Sequence, residues 1–384
     1  MSSSYDVIVA GAGPAGAVTA YELAKAGLSV LILEKERLPR YKACGGGLPE
    51  KVPRLLDFDL SPTYEMAMTT GMVSYRCGEP LVIEMGRPVG WTVMRDRFDL
   101  YLAKKAAAAG AELREEQAVR EVEQRAKGVV AQTRDSAFQA QVLVGADGAN
   151  SAVARAVGLM KNRRVGLALE AEVQVGDAAL ERWWGIVQFD FGYVPWGYAW
   201  IIPKAEHLSV GVGTYGPKLK IDLKGYLAGF IKSQPALRDH RSIERKGHLI
   251  PLGGRKERLH KGRVLLVGDA GGLTDPFLGE GIYYAIKSGL LAARTISRVL
   301  KDGDIDLSGY SQAANAQINH DFKYASCIAQ LFYRIPRFGY DLFTQSQFLR
   351  QGLYDVIVGA LSYETLFKRI LRRAPRLVLR WLTG

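Results

Sequence analysis

A glycine-rich turn near the start of the chain constrains the fold more than any other feature. The apolar run Asp6–Ala10 leads into Gly11-Ala12-Gly13-Pro14-Ala15-Gly16, and a second apolar run, Leu28–Leu33, ends at Glu34. In this strand–turn–helix–strand pattern the first glycine allows a tight turn, the second lets a pyrophosphate approach the backbone, and the third lets the helix pack on the strand. The helix N-terminus would face the phosphates, and Glu34 would accept hydrogen bonds from a ribose. The pattern predicts a dinucleotide site but leaves NAD and FAD open.

Composition narrows the class of protein. The 384 residues are 48% hydrophobic and 23% charged, which is enough for two or three domains with real cores. Cys44, Cys77 and Cys327 are too few for a disulfide framework and lack metal-site spacing, so we expect a reducing compartment and no metal. The net charge of +12 makes an anionic partner or surface plausible, but no nucleic-acid motif accompanies it. Because the first strand begins close to Met1 and no apolar run could span a bilayer, we expect a cytoplasmic protein without a signal peptide.

Two later strand ends favour FAD over NAD. An apolar run ends at Gly145-Ala146-Asp147-Gly148, and another, Val264–Val267, ends at Gly268-Asp269-Ala270. An acid at such a strand end can hold the ribityl hydroxyls of FAD. Gly279-Glu280-Gly281-Ile282 then opens a helix whose N–H groups suit the N1–C2=O edge of a flavin, where negative charge develops on reduction.

The expected fold class is α/β, with a discontinuous Rossmann-like FAD-binding domain, an antiparallel β-sheet substrate domain and a C-terminal helical segment. The segments 165–215 alternate strand-like runs with aromatic residues, which is typical of an antiparallel sheet. The expected domain boundaries are 1–57, 92–158 and 255–325 for the FAD-binding domain, 58–91 and 159–254 for the β-rich substrate domain, and 326–384 for the helical region.

The motifs resemble those of the hydroxylase-like FAD-dependent oxidoreductases, and within them the geranylgeranyl reductases. Arg95, in Arg-x-x-Phe-Asp, matches an arginine that reaches the cofactor in that superfamily. Lys42-Ala43-Cys44-Gly45-Gly46-Gly47-Leu48 looks like the reductases' cysteine–glycine loop. Tyr198-Ala199-Trp200-Ile201-Ile202-Pro203-Lys204 looks like their Tyr-x-Trp-x-Phe-Pro-Lys motif, with Ile202 in place of Phe. With Ile202, the segment is intermediate between this reductase motif and the Trp-x-Trp-x-Ile-Pro motif of flavin halogenases. The Cys-Gly-Gly-Gly loop favours the reductase.

The resemblance and the strand ends together give a set of expected FAD contacts. They are Gly11, Gly13, Ala15, Gly16, Glu34, Lys35, Cys44, Gly45, Arg95, Asp147, Asp269, Gly279, Gly281 and Ile282.

Four residues are candidates for chemistry or substrate binding. The three glycines after Cys44 would let the loop lie close to the flavin ring, with the thiol on the substrate side as a candidate proton donor. The thiol would otherwise tune the flavin's surroundings, or Cys44 would simply be a small core residue. Tyr198 and Trp200 share one face of a strand, where they would wall a hydrocarbon tunnel and stabilise a cationic transition state, or simply pack in the core. Lys204 would bind a phosphate head group or end the strand.

The C-terminal segment 366–384 is basic and amphipathic. Its cations are Lys368, Arg369, Arg372, Arg373, Arg376 and Arg380, and Pro375 is expected to divide it into two helices. A basic amphipathic helix is typical of a peripheral anchor on anionic lipid at the cytoplasmic face, and a helix docked on the body would look the same.

The resemblance implies an FAD-dependent oxidoreductase that reduces isolated C=C bonds of a hydrophobic isoprenoid chain by hydride transfer. The alternative is an FAD-dependent monooxygenase or halogenase. The reductant is open between ferredoxin and NAD(P)H, because the sequence shows one dinucleotide fingerprint.

Overall fold

The computed structural model describes residues 4–216 and 221–383, without the side chains of 242–244 and 376–383. The helices are α1 Pro14–Lys25, α2 Arg95–Ala108, α3 Ala152–Val157, α4 Asp177–Glu181, α5 Leu223–Ser233, α6 Ile282–Asp302, α7 Ser308–Ala314, α8 His320–Arg334, α9 Pro336–Gln345, α10 Gln347–Ile357 and α11 Tyr363–Thr383. The strands are β1 Ser4–Ala10, β2 Val30–Leu33, β3 Gly47–Pro49, β4 Tyr64–Met68, β5 Thr70–Tyr75, β6 Leu81–Glu84, β7 Gly90–Val93, β8 Glu112–Arg114, β9 Glu121–Arg125, β10 Gly128–Gln132, β11 Ala137–Gly145, β12 Arg164–Gln174, β13 Ile186–Phe191, β14 Gly197–Pro203, β15 Leu208–Thr214, β16 Ser242–Leu252, β17 His260–Lys261 and β18 Val264–Leu266.

The chain divides into two compact units. Unit 1 comprises Met1–Lys42, Arg95–Val165 and Ile250–Lys323, and unit 2 comprises Ala43–Met94, Gly166–Leu249 and Tyr324–Gly384. The sequence-based boundaries differ from these units by a few residues at several points and more substantially at two. They put residues 43–57 in the FAD-binding domain, and they set the C-terminal helices apart as a region of their own.

Unit 1 is built on a sheet in the order β17-β18-β11-β1-β2-β8, in which β18, β11, β1, β2 and β8 are parallel. The antiparallel pair β9–β10 joins it at β11. The central strands are apolar throughout because both faces are covered. Alternate residues of β1 enter different cores: Val7 and Val9 pack with helix residues, and Ile8 and Ala10 pack on the other face.

Close packing of α1 and α6 in unit 1 depends on glycine. A side chain at Gly16 would meet the carbonyl of Gly11, and one at Gly289 would lie 2.7 Å from the carbonyl oxygen of Ala15. The third glycine of the turn therefore does what the motif predicts, since it lets the helix approach the backbone closely.

Unit 2 contains a sheet in the order β16-β12-β15-β14-β13-β5-β6, with β13 and β5 parallel, and a smaller sheet β3-β7-β4. One face of β12, β14 and β15 forms a hydrophobic core with α5. Its members from these strands are Ala171, Val173, Ala199, Ile201, Leu208, Val210 and Val212. The residues between them, including Trp200 and Glu170, point to the opposite face because side chains alternate along a strand.

The last part of unit 2 is helical, from α8 to α11. The expected division at Pro375 is wrong, since helix α11 runs through it even though an interior proline removes one backbone donor and crowds the preceding turn. Within the part of the chain that the structure describes, no helix is both long and apolar enough to cross a bilayer.

The predicted fold class is confirmed. The helix predicted to open at Gly279-Glu280-Gly281-Ile282 is present as α6. The aromatic segments 165–215 form the predicted antiparallel strands.

Candidate functional site

The carboxyl ends of four parallel strands meet at one edge of the unit 1 sheet. Gly11 follows β1, Glu34 follows β2, Asp147 lies just beyond β11, and Asp269 lies just beyond β18. In open α/β sheets this edge is where ligands bind, next to the point where the strand order reverses. Four residues from three separate sequence motifs are therefore brought to one edge by the topology.

The glycine-rich turn leaves the N-terminus of α1 uncovered. Gly11 has a positive φ of 105°, and a side chain there would meet the carbonyl of Ala146. Gly13 is the N-cap, and the first turn of α1 has neither a side-chain cap nor an acidic residue. Over Gly13 the space is open as far as Arg40 Nη2, 3.8 Å from where a side chain would begin. Free N–H groups, a positive dipole end and a nearby guanidinium fit a pyrophosphate.

Glu34 lies against this turn. Its carboxylate is buried, with Oε2 accepting a hydrogen bond from the Ala12 N–H at 2.7 Å and Oε1 accepting one from the Glu36 N–H at 3.2 Å. Because a carboxylate has about four acceptor positions, ribose hydroxyls can still donate to it. The side chain of Lys35 is exposed, and its Nζ lies 3.3 Å from Glu36 Oε1.

Arginines 40 and 95 form a buried cluster with Asp99. Arg95 donates from Nε and Nη2 to the two oxygens of Asp99, each at 2.8 Å, and Arg40 Nη1 lies 3.0 Å from the same carboxylate. Burial opposes ionisation of Asp99, but the two arginines outweigh it and lower the pKa of that carboxyl. Arg40 was not among the predicted site residues. Its loop is rich in cations, and the sequence does not say which of them turns back towards the glycines.

Asp147 organises the loop after β11. Its carboxylate accepts hydrogen bonds from Ser151 Oγ at 2.5 Å and from the N–H groups of Ala152 and Val153 at 2.7 and 3.1 Å. These donors belong to the start of α3, so the side chain caps that helix. Burial raises the pKa of Asp147, although these hydrogen bonds oppose the change.

Asp269 lies beside the N-terminus of α6. Its Oδ1 accepts a hydrogen bond from Thr274 Oγ1 at 3.2 Å, and its Oδ2 is 3.4 Å from Lys42 Nζ. A side chain at Gly281, the N-cap of α6, would begin 3.8 Å from Asp269 Oδ1. Neither a side-chain cap nor an acidic residue occupies the first turn of α6, which opens at Ile282, and Gly279 has a positive φ of 70°. This second uncapped helix start, next to a carboxylate, fits the polar edge of a flavin. Ala15 of the first motif is buried in contact range of Gly268.

Unit 2 contains the cysteine–glycine loop. A side chain at Gly45 would lie 2.8 Å from Ile202 Cδ1 and 3.3 Å from Trp200 Nε1, so the loop backbone lies directly on β14. Gly46 has a positive φ of 65°, and its N–H donates to Cys44 Sγ at 3.4 Å. The loop needs glycine at 45 for close approach and at 46 for both space and conformation.

Tyr198 and Trp200 lie on the same face of β14 as this loop. Both are buried, their ring centroids are 6.1 Å apart, and Trp200 covers Gly211 of the neighbouring strand. Phe189, Phe191 and Tyr215 surround Tyr198, which makes an aromatic wall on this face.

Lys204 does not have the exposed ammonium that binding a phosphate head group would require. Its side chain is fully buried, and Nζ donates to the carbonyl oxygens of Gly45 at 2.7 Å and Val93 at 2.9 Å. Burial lowers the pKa of Lys204, opposed by the nearby carboxylates. The ammonium therefore anchors the cysteine–glycine loop and does not reach a solvent-exposed phosphate.

Sequence reasoning also missed two glutamates on β12, Glu170 and Glu172. Glu170 is 3% exposed and lies on the face of Trp200 and Lys204. The sequence signal that could have identified them is a pair of acids at alternate positions of an otherwise apolar strand. Among the residues that the structure describes, no group of three His, Cys, Asp or Glu side chains could hold a metal ion.

Comparison with known proteins shows which family the chain belongs to. Residues 4–193 match the model of an FAD binding domain. The digeranylgeranylglycerophospholipid reductase of Methanocaldococcus jannaschii is 31% identical over 318 residues, 79% of this chain and 80% of the relative.

Solved structures have the same fold over almost the whole chain. A geranylgeranyl bacteriochlorophyll reductase-like protein of Thermoplasma acidophilum superposes with a TM-score of 0.82 at 24% identity, covering 98% of both chains. The flavin-dependent brominase Bmp2 superposes with a TM-score of 0.73 at 22% identity, covering 97% of this chain and all of the brominase.

The cofactor predicted from the strand-end acids is confirmed as FAD, and the two uncapped helix starts of unit 1 suit it. The chain is an FAD-dependent oxidoreductase, and it belongs to the geranylgeranyl reductase family.

Proposed function

We propose that this enzyme reduces isolated C=C bonds of an isoprenoid chain, with FAD as the source of hydride. The observation that carries the proposal is the seating of the Cys44–Gly47 loop on β14, beside the aromatic wall of Tyr198 and Trp200. The name of the archaeal relative, a reductase of digeranylgeranylglycerophospholipid, supports a lipid-linked geranylgeranyl chain as the substrate class.

An isolated double bond is unactivated, which decides what the protein must provide. Reduced FAD supplies the hydride, and a proton must reach the other carbon. The aromatic faces of Tyr198 and Trp200 would exclude water and stabilise positive charge that develops on the chain. Cys44 Sγ is the proton donor in this proposal, and the hydrogen bond that it accepts from the Gly46 N–H holds it in place.

The FAD contacts are proposals of the same kind. The glycine-rich turn, Arg40 and Glu34 would hold the ADP half of FAD, and Asp269 with the start of α6 would hold the flavin half. Arg95 would act through the cluster that it shares with Asp99 and Arg40. The reductant stays open between ferredoxin and NAD(P)H.

The test is anaerobic incubation of dithionite-reduced holoenzyme with geranylgeranyl lipids, followed by mass spectrometry of the products. The expected result is a gain of two hydrogens for each reduced bond. Cys44→Ser should slow the reaction by about 100-fold, as expected for loss of a positioned proton donor. Cys327→Ser is the matched control because Cys327 is exposed on α8. Intact double bonds with fully reduced wild-type enzyme would refute the proposal.

The alternative activity, monooxygenation or halogenation, is tested separately with aerobic holoenzyme and NAD(P)H, without dithionite. Substrate-dependent oxygen consumption with an aromatic acceptor, and no hydrogenation of isoprenoids, would favour it. Ile202 in the Tyr-x-Trp motif is the sequence feature that motivates this comparison.

We also propose that α11 touches an anionic lipid surface, which would bring the enzyme to a lipid-linked substrate. Lys368, Arg369, Arg372 and Arg373 are exposed on this helix, and Leu371 between them is 57% exposed. Arg376 and Arg380 belong to the predicted basic face, but their side chains lie outside the described residues. Such a surface pairs cations with insertable apolar side chains.

Vesicle sedimentation tests this contact. Charge reversal of Arg369 and Arg372 should abolish binding to vesicles rich in anionic phospholipid, whereas charge reversal of the exposed Lys127 and Arg134 should not. Equal loss with both pairs would show a general effect of net charge and refute a role for α11.

A further inference from the structure

A buried ionisable network lies on the same sheet face of unit 2 as the cysteine–glycine loop. Glu170 on β12 pairs in register with Gly211 on β15, which pairs with Trp200 on β14. Glu172 is in register with Ser209, two residues along and therefore on the same face. The face that binds the loop through Lys204 thus also carries two carboxyl groups that the proposed chemistry has not used.

One end of this network reaches the protein surface. Glu172 Oε2 lies 2.6 Å from His207 Nε2, and the two side chains are 14% and 15% exposed. His207 is held in the turn after β14, where its carbonyl oxygen accepts a hydrogen bond from the Lys204 N–H at 2.8 Å. His207 and Glu172 are therefore closer to solvent than Glu170 and Lys204, which are 3% and 0% exposed.

The carboxyl groups of the two glutamates interact, and their pKa values shift in opposite directions. Burial, reinforced by the neighbouring Glu172 carboxylate and by Cys44, raises the pKa of Glu170 well above its usual range. Burial opposes ionisation of Glu172 too, but hydrogen bonds with His207 and Glu170 and the charge of Lys204 lower its pKa. These opposite shifts favour a protonated Glu170 beside an ionised Glu172, an arrangement that suits the single buried ammonium of Lys204.

The other end of the network is the Cys44 loop. Lys204 Nζ binds the carbonyl oxygen of Gly45 at 2.7 Å, directly after the cysteine, and it interacts electrostatically with Glu170, Glu172, Cys44 and Glu65. Glu170 interacts in turn with Cys44. The groups that face Glu170 are therefore Glu172, Lys204 and Cys44, contributed by β12, the end of β14 and the loop.

We propose that Glu170 and Glu172 form a proton-storing pair that re-protonates Cys44 after each reduction, with His207 as the entry point from solvent. The inference rests on the proposed function. Each reduced bond consumes one hydride and one proton. Cys44 donates the proton, and its Sγ is left as a thiolate. Glu170 returns a proton to the thiolate and regains one from solvent through Glu172 and His207. No residue of the relay changes oxidation state, and one solvent proton is consumed for each bond.

The relay predicts a specific kinetic signature, since Glu170 acts through Cys44. Glu170→Gln should leave the first reduction on a fully reduced holoenzyme at the wild-type rate, because Cys44 already carries its proton. Later reductions of a polyunsaturated chain, measured with excess dithionite to reduce the flavin again after each step, should slow by about 100-fold. Cys44→Ser should slow the first reduction as well. Equal slowing of the first and later steps in Glu170→Gln, or no slowing, would overturn the relay.

A measurement without turnover separates this inference from the proposed function. The infrared spectrum of the wild-type holoenzyme at neutral pH should contain a protonated-carboxyl band that disappears in Glu170→Gln. Glu206→Gln, an exposed glutamate in the same turn, should leave the band unchanged. Absence of the band in the wild type overturns the proton store even if isoprenoids are reduced. Its presence without isoprenoid reduction refutes the proposed substrate and leaves the proton store standing. Glu172→Gln serves as a second variant, and retained FAD absorbance shows that each variant is folded.

Discussion

Replacing Lys204 with methionine tests whether the buried ammonium holds the cysteine–glycine loop. Methionine has nearly the same length and keeps the apolar contacts of the lysine stem, but it donates no hydrogen bond. The change leaves the carbonyl oxygens of Gly45 and Val93 without the donor that they have at 2.7 and 2.9 Å. The loop should therefore open more often while the rest of unit 2 stays folded.

The size of the effect follows from these two bonds. A hydrogen bond with a charged partner contributes about 1.5–3 kcal/mol. Since the variant also avoids the cost of burying an ammonium, we take the lower value for each bond, about 3 kcal/mol in all. Every 1.4 kcal/mol is tenfold, so the open population of the loop should rise roughly 100-fold.

Hydrogen–deuterium exchange read by mass spectrometry measures this opening. The reporters are the amide of Gly46, which donates to Cys44 Sγ, and the amide of Val93, which donates to the Gly46 carbonyl at 2.9 Å. Lys232→Met is the matched control because Lys232 is exposed on α5 of the same unit. Unchanged exchange at both amides in folded Lys204→Met would refute the anchoring role.

Three further predictions concern a loop glycine, the nucleotide turn and the carboxyl pair. Gly46→Ala should destabilise the loop, because its φ of 65° and the nearby Val93 carbonyl exclude a side chain, whereas Gly47→Ala has open space and should be close to neutral in thermal unfolding. Gly13→Ala should lower FAD affinity at least tenfold, because the added methyl group intrudes on the phosphate position. The apoprotein should lose little stability, because the methyl group meets protein only at ordinary contact distance. Fluorescence titration with FAD measures the affinity. Glu170→Gln should become more stable relative to the wild type as the pH rises above 4.5, the ordinary pKa of glutamate, in urea unfolding.

The sign of the last prediction follows from proton binding. Above 4.5 the unfolded Glu170 loses its proton while the folded one, with its raised pKa, keeps it. The folded state then binds more protons, so the wild type loses stability with rising pH until the folded pKa is passed, and the glutamine variant lacks this loss. A constant difference between the two proteins across that range would contradict the assignment. For the glycines, equal destabilisation by Gly46→Ala and Gly47→Ala, or unchanged FAD affinity in Gly13→Ala, would do the same.

The glycine-rich turn shows how much a local pattern determines. Strand, turn, helix and strand are neighbours in the chain, and the spacing of Gly11, Gly13 and Gly16 requires close backbone approach whatever surrounds it. The same holds for the acids at the ends of parallel strands. Knowing that these strands are parallel is enough to place Glu34, Asp147 and Asp269 at one edge.

Lys204 shows where the local pattern fails. From the sequence it reads as a cation at the end of a strand, free to bind a head group. Only the tertiary structure brings its ammonium to the carbonyl of Gly45, 159 residues away in the chain. Arg40 is a similar case, since its contacts with Glu34 and Asp99 depend on how its loop folds back.

The sequence by itself determined the α/β fold, the dinucleotide turn and the motifs that pointed to FAD, because each depends on short-range spacing and on backbone sterics. The tertiary structure decided which polar side chains share one buried face. Glu170, Glu172 and Lys204 meet through the register of β12, β15 and β14, which is fixed by long-range strand pairing. Side chains alternate between the two faces of a strand, so a shift of one residue in that register would have moved these groups into the hydrophobic core.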